Sequence, residues 1–205
     1  MTENQEYRSE LKRKAIHLIS TIIPVIYFYT SKDFITWFVG IGLVLMFAVD
    51  IIKAHSNIIS KLYRLFFHDI LRSHEKEFKK NYFTGGTYYA AGIFLSLLIF
   101  PMEVAINSIL VLIWCDTMAA LIGIKFGRIK LFKRKTLEGT SAFIIMGLIL
   151  CIILSFIFPG YGFITAGIPA LIITALYELF NNRLNDNFTI PLFNGIIFIL
   201  LKYII

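Results

Sequence analysis

Asp116, Ala120, Gly123 and Gly127 recur at i, i+4, i+7 and i+11 within an apolar stretch that begins near Val104. At about 100° per residue they share one narrow helix face. A carboxylate among residues with little or no side chain leaves room for a bulky, charged group to approach the backbone. At mid-membrane depth an Asp costs roughly 2.5–3.5 kcal/mol, so its presence points to function. A basic run follows: Lys125, Arg128, Lys130, Lys133, Arg134 and Lys135. Its last member opens Lys135-Thr136-Leu137-Glu138-Gly139. A lysine beside the amides of a helix N-terminus suits phosphate oxygens. A nearby hydroxyl or carboxylate suits the Mg2+ those oxygens carry. Thr136 and Glu138 serve equally well as caps of the next helix.

Other polar residues fall at the same level of the chain's apolar segments. Arg13, Lys14 and His17 sit one turn apart at the start of the first apolar segment. They read either as a snorkelling anchor with a core histidine or as part of a site. Glu178, with Asn181 and Asn182, closes one segment, and Asp186-Asn187-Phe188-Thr189-Ile190-Pro191 opens the next. An Asp or Asn cap would explain the latter's first two residues. Asp50, Arg72 and Glu75 read as structural. The convergence of Asp116, Glu138, Glu178 and Asp186 beside a basic, glycine-lined pocket describes an Mg2+-nucleotide site with apolar walls. No GxxxxGK[ST], HRD or DFG occurs, so neither the P-loop nor the protein-kinase solution is in use.

The elements that must position these residues are membrane-spanning helices. The chain is 58% hydrophobic with a mean hydropathy of +0.75, and its apolar residues lie in long runs, which excludes an ordinary soluble domain. Seven spans are expected, over 14–30, 34–52, 85–100, 104–125, 140–158, 162–180 and 188–203. The reading is an all-α polytopic bundle forming one domain over residues 1–205, with an amphipathic helix at 56–80 on the inner leaflet. Eighteen of the 20 Lys and Arg fall on the side of the long loops. By the positive-inside rule that side is cytoplasmic, with the N-terminus inside and the C-terminus outside. The same bias accounts for the net charge of +7 without a nucleic-acid partner. Met1 to Glu10 is polar and shows no cleavable signal pattern. Cys115 and Cys151 both lie in apolar runs and read as small core residues rather than a disulfide or zinc site.

The ordered blocks resemble those of the polyprenol/dolichol kinase, phytol kinase and CTP-dependent diacylglycerol kinase family. They are Arg13-Lys14-x-x-His17; Arg72-x-x-Glu75 before Thr84-Gly85-Gly86-Thr87-Tyr88; Asp116-x3-Ala120-x2-Gly123-x3-Gly127; Lys135-Thr136-x-Glu138-Gly139; and Asp186-Asn187-x-Thr189-Ile190-Pro191. The resemblance implies CTP as phosphoryl donor, Mg2+, a lipid alcohol as acceptor, and an integral membrane protein of the cell membrane or endoplasmic reticulum with a cytoplasmic site. Lys135, with Ala120, Gly123, Gly127, Thr136, Gly139 and Asn187, is expected to contact the nucleotide. Asp116, Glu138, Glu178 and Asp186 are the expected metal ligands, with Asp116 or Asp186 as base. Arg13, Lys14, His17, Arg72, Glu75 and Thr189 are further candidates. The central blocks also resemble phosphatidate cytidylyltransferases, but their KD…HGG…DR.D ending is replaced here by residues 186–195. A small membrane transporter is the competing class; against it, the polar residues gather on one side rather than at the midplane. A non-catalytic lipid-binding scaffold is a third.

Overall fold

The computed structural model describes residues 3–67, 70–71, 83–181 and 184–205. Arg72 and Glu75 lie outside the described residues, as does much of the second half of the amphipathic segment at 56–80. Ten helices and one small hairpin are described: α1 Glu3–Ile19, α2 Ile22–Tyr29, α3 Lys32–His55, α4 Asn57–Phe67, α5 Gly85–Ile99, α6 Met102–Leu110, α7 Asp116–Phe126, α8 Leu137–Ile157, α9 Ile168–Phe180 and α10 Asp186–Ile204. Five helices among the described residues are long and apolar enough to cross a membrane: 32–55, 102–126, 137–157, 163–180 and 186–204. The segment at 85–99 is apolar but shorter. Large apolar side chains such as Trp37, Phe38, Ile41 and Phe156 lie exposed on the bundle's outside, the pattern of a protein whose solvent is hydrocarbon.

The expected single span at 14–30 is two helices. Pro24 has no N–H to offer the Ser20 carbonyl, so the ladder breaks at Ser20–Thr21 and restarts at Ile22. The span carrying Asp116 is also irregular. A π-helical turn at Val111–Cys115 separates α6 from α7 and ends immediately before the Asp. Such bulges concentrate at functional positions. A second one, Phe163–Gly167, precedes α9.

The core joins Ile93, Leu97, Phe100, Ile109, Leu112, Phe143, Phe163 and Phe198 from five spans. Within it, Asn194 is fully buried; its side chain accepts from Asn107 at 2.9 Å and donates to Thr174 Oγ1 at 3.1 Å, tying α10 to α6 and α9. α10 packs against α5, α6 and α9, while α1 lies along α7. Helix polarity therefore gathers the middle of α1, the end of α3, the starts of α5, α8 and α10, and the end of α9 at one end of the bundle. The opposite end is closed by Lys32 Nζ donating to Phe100 O at 3.1 Å and by Lys202 over the Tyr161 ring.

Candidate active site

Two lysines organise the polar end. Lys14, 3% exposed on α1, donates from Nζ to Asp116 Oδ2 on α7. Glu10, one turn earlier on α1, pairs with Arg13 and lies 4.0 Å from Lys14 Nζ, so Lys14 stands between two carboxylates. His17, a turn deeper, stacks on Tyr89 of α5 with ring centroids 4.1 Å apart. The Tyr89 hydroxyl meets Ser20 Oγ.

Lys135 is the second centre. Arg128 to Thr136 do not form a plain loop: Lys130–Phe132 and Lys135–Thr136 pair antiparallel, with Lys133 at positive φ in the turn. The hairpin presents Lys135 toward the ends of α9 and α10. There its Nζ donates to Glu178 Oε1 and, at 3.1 Å, to Asp186 Oδ2. Burial draws the ammonium's pKa down, but Glu178 and Asp186, with Asp116 in electrostatic reach, more than offset this. They hold it above the ordinary value of 10.5. Lys135 stays charged through the physiological range.

Asp186 is fixed from behind. Asn181 donates to its Oδ1 at 2.7 Å and to Leu184 O at 3.0 Å, so the α9–α10 turn is tied to the carboxylate it carries. Asn185 caps α10 by accepting from Asn187 N at 3.1 Å. Asn187 Nδ2 crosses to Gly85 O at 3.0 Å, joining α10 to the start of α5. Thr189 Oγ1 turns back to Asn185 O at 3.3 Å.

The stripe after Asp116 is filled by the chain itself. Thr136 caps α8 by accepting from Gly139 N at 3.2 Å and lies over the two α7 glycines. A Cβ at Gly127 would come 2.7 Å from Thr136 Cγ2, and one at Gly139 would come 2.9 Å from Ala119 O. Gly123, Gly127 and Gly139 therefore let α7 and α8 approach closely, with Thr136 packed between them. Ala120 is half-buried one turn beyond Asp116. The Glu138 carboxylate accepts from Ile129 N at 3.3 Å, closing the hairpin.

One cluster was not foreseen from the residues. Asp50, 2% exposed at the end of α3, accepts from Thr84 N at 2.8 Å, from Thr84 Oγ1 at 3.2 Å and from Thr87 Oγ1 at 2.6 Å. It also takes a bond from Lys53, which is 1% exposed and lies 4.7 Å over the Tyr63 ring. The carboxylate thus ties the start of α5 to α3 and neutralises a buried ammonium. Its sequence signal was an Asp/Lys pair at i, i+3 near the end of an apolar run, with two threonines flanking Gly85-Gly86. Glu10, spaced i+3 and i+4 from Arg13 and Lys14, was equally visible.

Among the described residues no three His, Cys, Asp or Glu side chains gather into a metal cage. Mg2+ does not require one, since it is held through one or two carboxylates plus substrate phosphates and water. Glu178 and Asp186, brought onto one ammonium, fit that mode; Glu138 does not join them.

No family model and no solved structure matches this sequence. An uncharacterized protein of Rickettsia prowazekii is 30% identical over 194 residues, which cover 93% of each chain. CTP-dependent diacylglycerol kinase 1 of Schizosaccharomyces pombe is 29% identical over 150 residues, covering 70% of this chain and 66% of the yeast protein. The enzyme of the same name from Saccharomyces cerevisiae is 26% identical over 216 residues, covering 92% and 72%. The chain belongs to one family with the Rickettsia protein, and its kinase-named relatives support placing it with the CTP-dependent diacylglycerol kinases.

Proposed function

We propose that this protein is an integral-membrane kinase that transfers the γ-phosphate of CTP to the hydroxyl of a lipid alcohol, diacylglycerol or an isoprenoid alcohol. The polar end would face the cytoplasm, as the Lys/Arg bias argues. The observation that carries this reading is the meeting of Lys135 with Glu178 and Asp186 from two other helices, next to the Lys14–Asp116 pair. Kinase-named relatives supply the donor and the acceptor class.

Phosphoryl transfer asks a protein mainly for positioning and charge neutralisation. Lys135 would exchange its carboxylate partners for phosphate oxygens. Glu178 and Asp186, released by that exchange, would hold Mg2+, which when bound spreads the negative charge of the phosphates. Asp116 would accept the alcohol's proton while Lys14 keeps the carboxylate oriented. The alcohol oxygen attacks the γ-phosphorus, the bond to the bridging oxygen breaks, and CDP leaves as the lipid monophosphate forms.

The test is a purified-protein assay crossing CTP, ATP, GTP and UTP with diacylglycerol, a polyprenol and phytol. Phosphate on a lipid with CTP as preferred donor is expected. Nucleotide-independent uptake of a solute into proteoliposomes, with no lipid phosphate formed, would replace this reading with a transporter.

A further inference from the structure

Two hollows follow the seam between α3 and α5. One, about 460 Å³, opens at the polar end and is lined by Ile16, Met46, Val49 and Tyr89, with Lys14 and Asn187 among its polar groups. The other, about 540 Å³, lies farther along the same helices and is lined by Thr36, Trp37, Ile41, Val44 and Phe94. Leu45 lines both, so they adjoin. From Thr36 to Val49, α3 runs roughly 20 Å at 1.5 Å per residue. That exceeds the ~15 Å half-thickness of a bilayer's hydrocarbon core.

The chemistry of this trough is graded. Charged and amide groups (Lys14, Asp50, Asn187) gather where the first hollow meets the site. Beyond Val49 the walls are apolar except for Thr36, as far as Lys32 and Asp33 at the far end. Ile41, Val44, Leu45 and Met46 are also exposed on a membrane-crossing helix, so the trough opens sideways to lipid rather than to water. A nucleotide has no use for such a length of hydrocarbon wall. A molecule with one small polar end and an extended apolar tail matches it along its whole run.

We propose that the α3–α5 seam is the track for the acceptor lipid's hydrocarbon chain, which slides in from the bilayer and brings its hydroxyl to the Lys14–Asp116 pair. This rests on the lipid-kinase reading above for the identity of the polar end. Donor and acceptor then reach Asp116 by separate routes: the lipid past Lys14 on α1, which lines the first hollow, and the triphosphate from the Lys135 hairpin.

The test uses the full chain in nanodiscs and a diacylglycerol carrying a diazirine in its acyl chain, without nucleotide. Cross-links are expected on α3 between Ile41 and Val49 and on α5 near Phe94, and excess unlabelled diacylglycerol should remove them. Leu45→Trp, at an exposed position that tolerates bulk, should cut this labelling and raise the lipid KM by about tenfold, with the CTP KM unaltered. Val44→Trp, confined to the second hollow, should act in the same direction. Phe156→Trp, on the lipid face of α8, should do neither. Labelling spread evenly over all lipid-facing helices, or a Leu45→Trp enzyme with wild-type lipid KM, overturns the track even if the wild type is a kinase. Competable labelling at the seam in a wild type that phosphorylates no lipid with any nucleotide would instead keep the track and remove the kinase.

Discussion

Lys14 and Asp116, separated by 102 residues in sequence, form a buried ion pair between the first helix and a membrane-crossing one. Neither charge is tolerable alone at that depth. Removing one partner of such a pair costs about 3–5 kcal/mol, whereas replacing both with apolar residues is often neutral. Asp116→Asn should therefore lower the thermal midpoint in detergent, and Lys14→Met combined with Asp116→Leu should recover most of it. Strong non-additivity in that cycle is the expected result, and additive losses would show that the two side chains do not interact.

Lys135 gives a pH prediction. Its pKa is raised by Glu178 and Asp186 against the pull of burial, so its charge and the stability it confers persist below about 10.5 and are lost only as pH rises through the elevated value. The wild-type rate profile should show no alkaline loss from this group up to about pH 10. Glu178→Gln combined with Asp186→Asn leaves burial opposed only by Asp116, so residual phosphate-dependent nucleotide binding should titrate away at lower pH. Nucleotide binding by calorimetry across pH 7–10 reads this, and an unshifted profile would contradict it.

Asp50 accepts from three residues on two elements, among them a lysine with 1% exposure. Asp50→Asn should cost about 3 kcal/mol, because an amide cannot neutralise Lys53 and offers one acceptor where two were used. Thermal unfolding checks it; an unchanged midpoint would mean the start of α5 holds without this carboxylate.

Gly92 marks where α5 and α10 cross. A Cβ there would come 2.6 Å from Asn187 O and 3.2 Å from the Pro191 ring. Gly92→Ala should push the start of α10 outward, costing about 1–3 kcal/mol and displacing Asp186 from Lys135. A drop in both thermal midpoint and kcat is expected. Full activity with wild-type stability would show that α10 moves without consequence.

How much of this was readable in the residues differs by kind of interaction. The apolar runs gave the helices, because hydrocarbon permits little else. Asp116, Lys135, Glu178 and Asp186 stood out as charges at the borders or interior of those runs. The pairing of Asp116 with Lys14 did not. Lys14 read either as a snorkelling anchor or as part of a site, and Asp50 as structural without a named partner, because pairing across 102 or 34 residues depends on packing that no local spacing encodes. Gly123 and Gly127 show the converse: their stripe was visible, but its packing against Thr136 and Gly139 was not. The Pro24 break and the π turn before Asp116 were likewise settled by backbone geometry rather than composition.

The most direct measurement of the central claim is single-turnover transfer of label from γ-³²P CTP to diacylglycerol by the purified protein and by its Asp116→Asn variant, with folding of both verified. Labelled lipid from the wild type and at least about a thousandfold less from the variant is the predicted result. Near-equal labelling by the two proteins would contradict it.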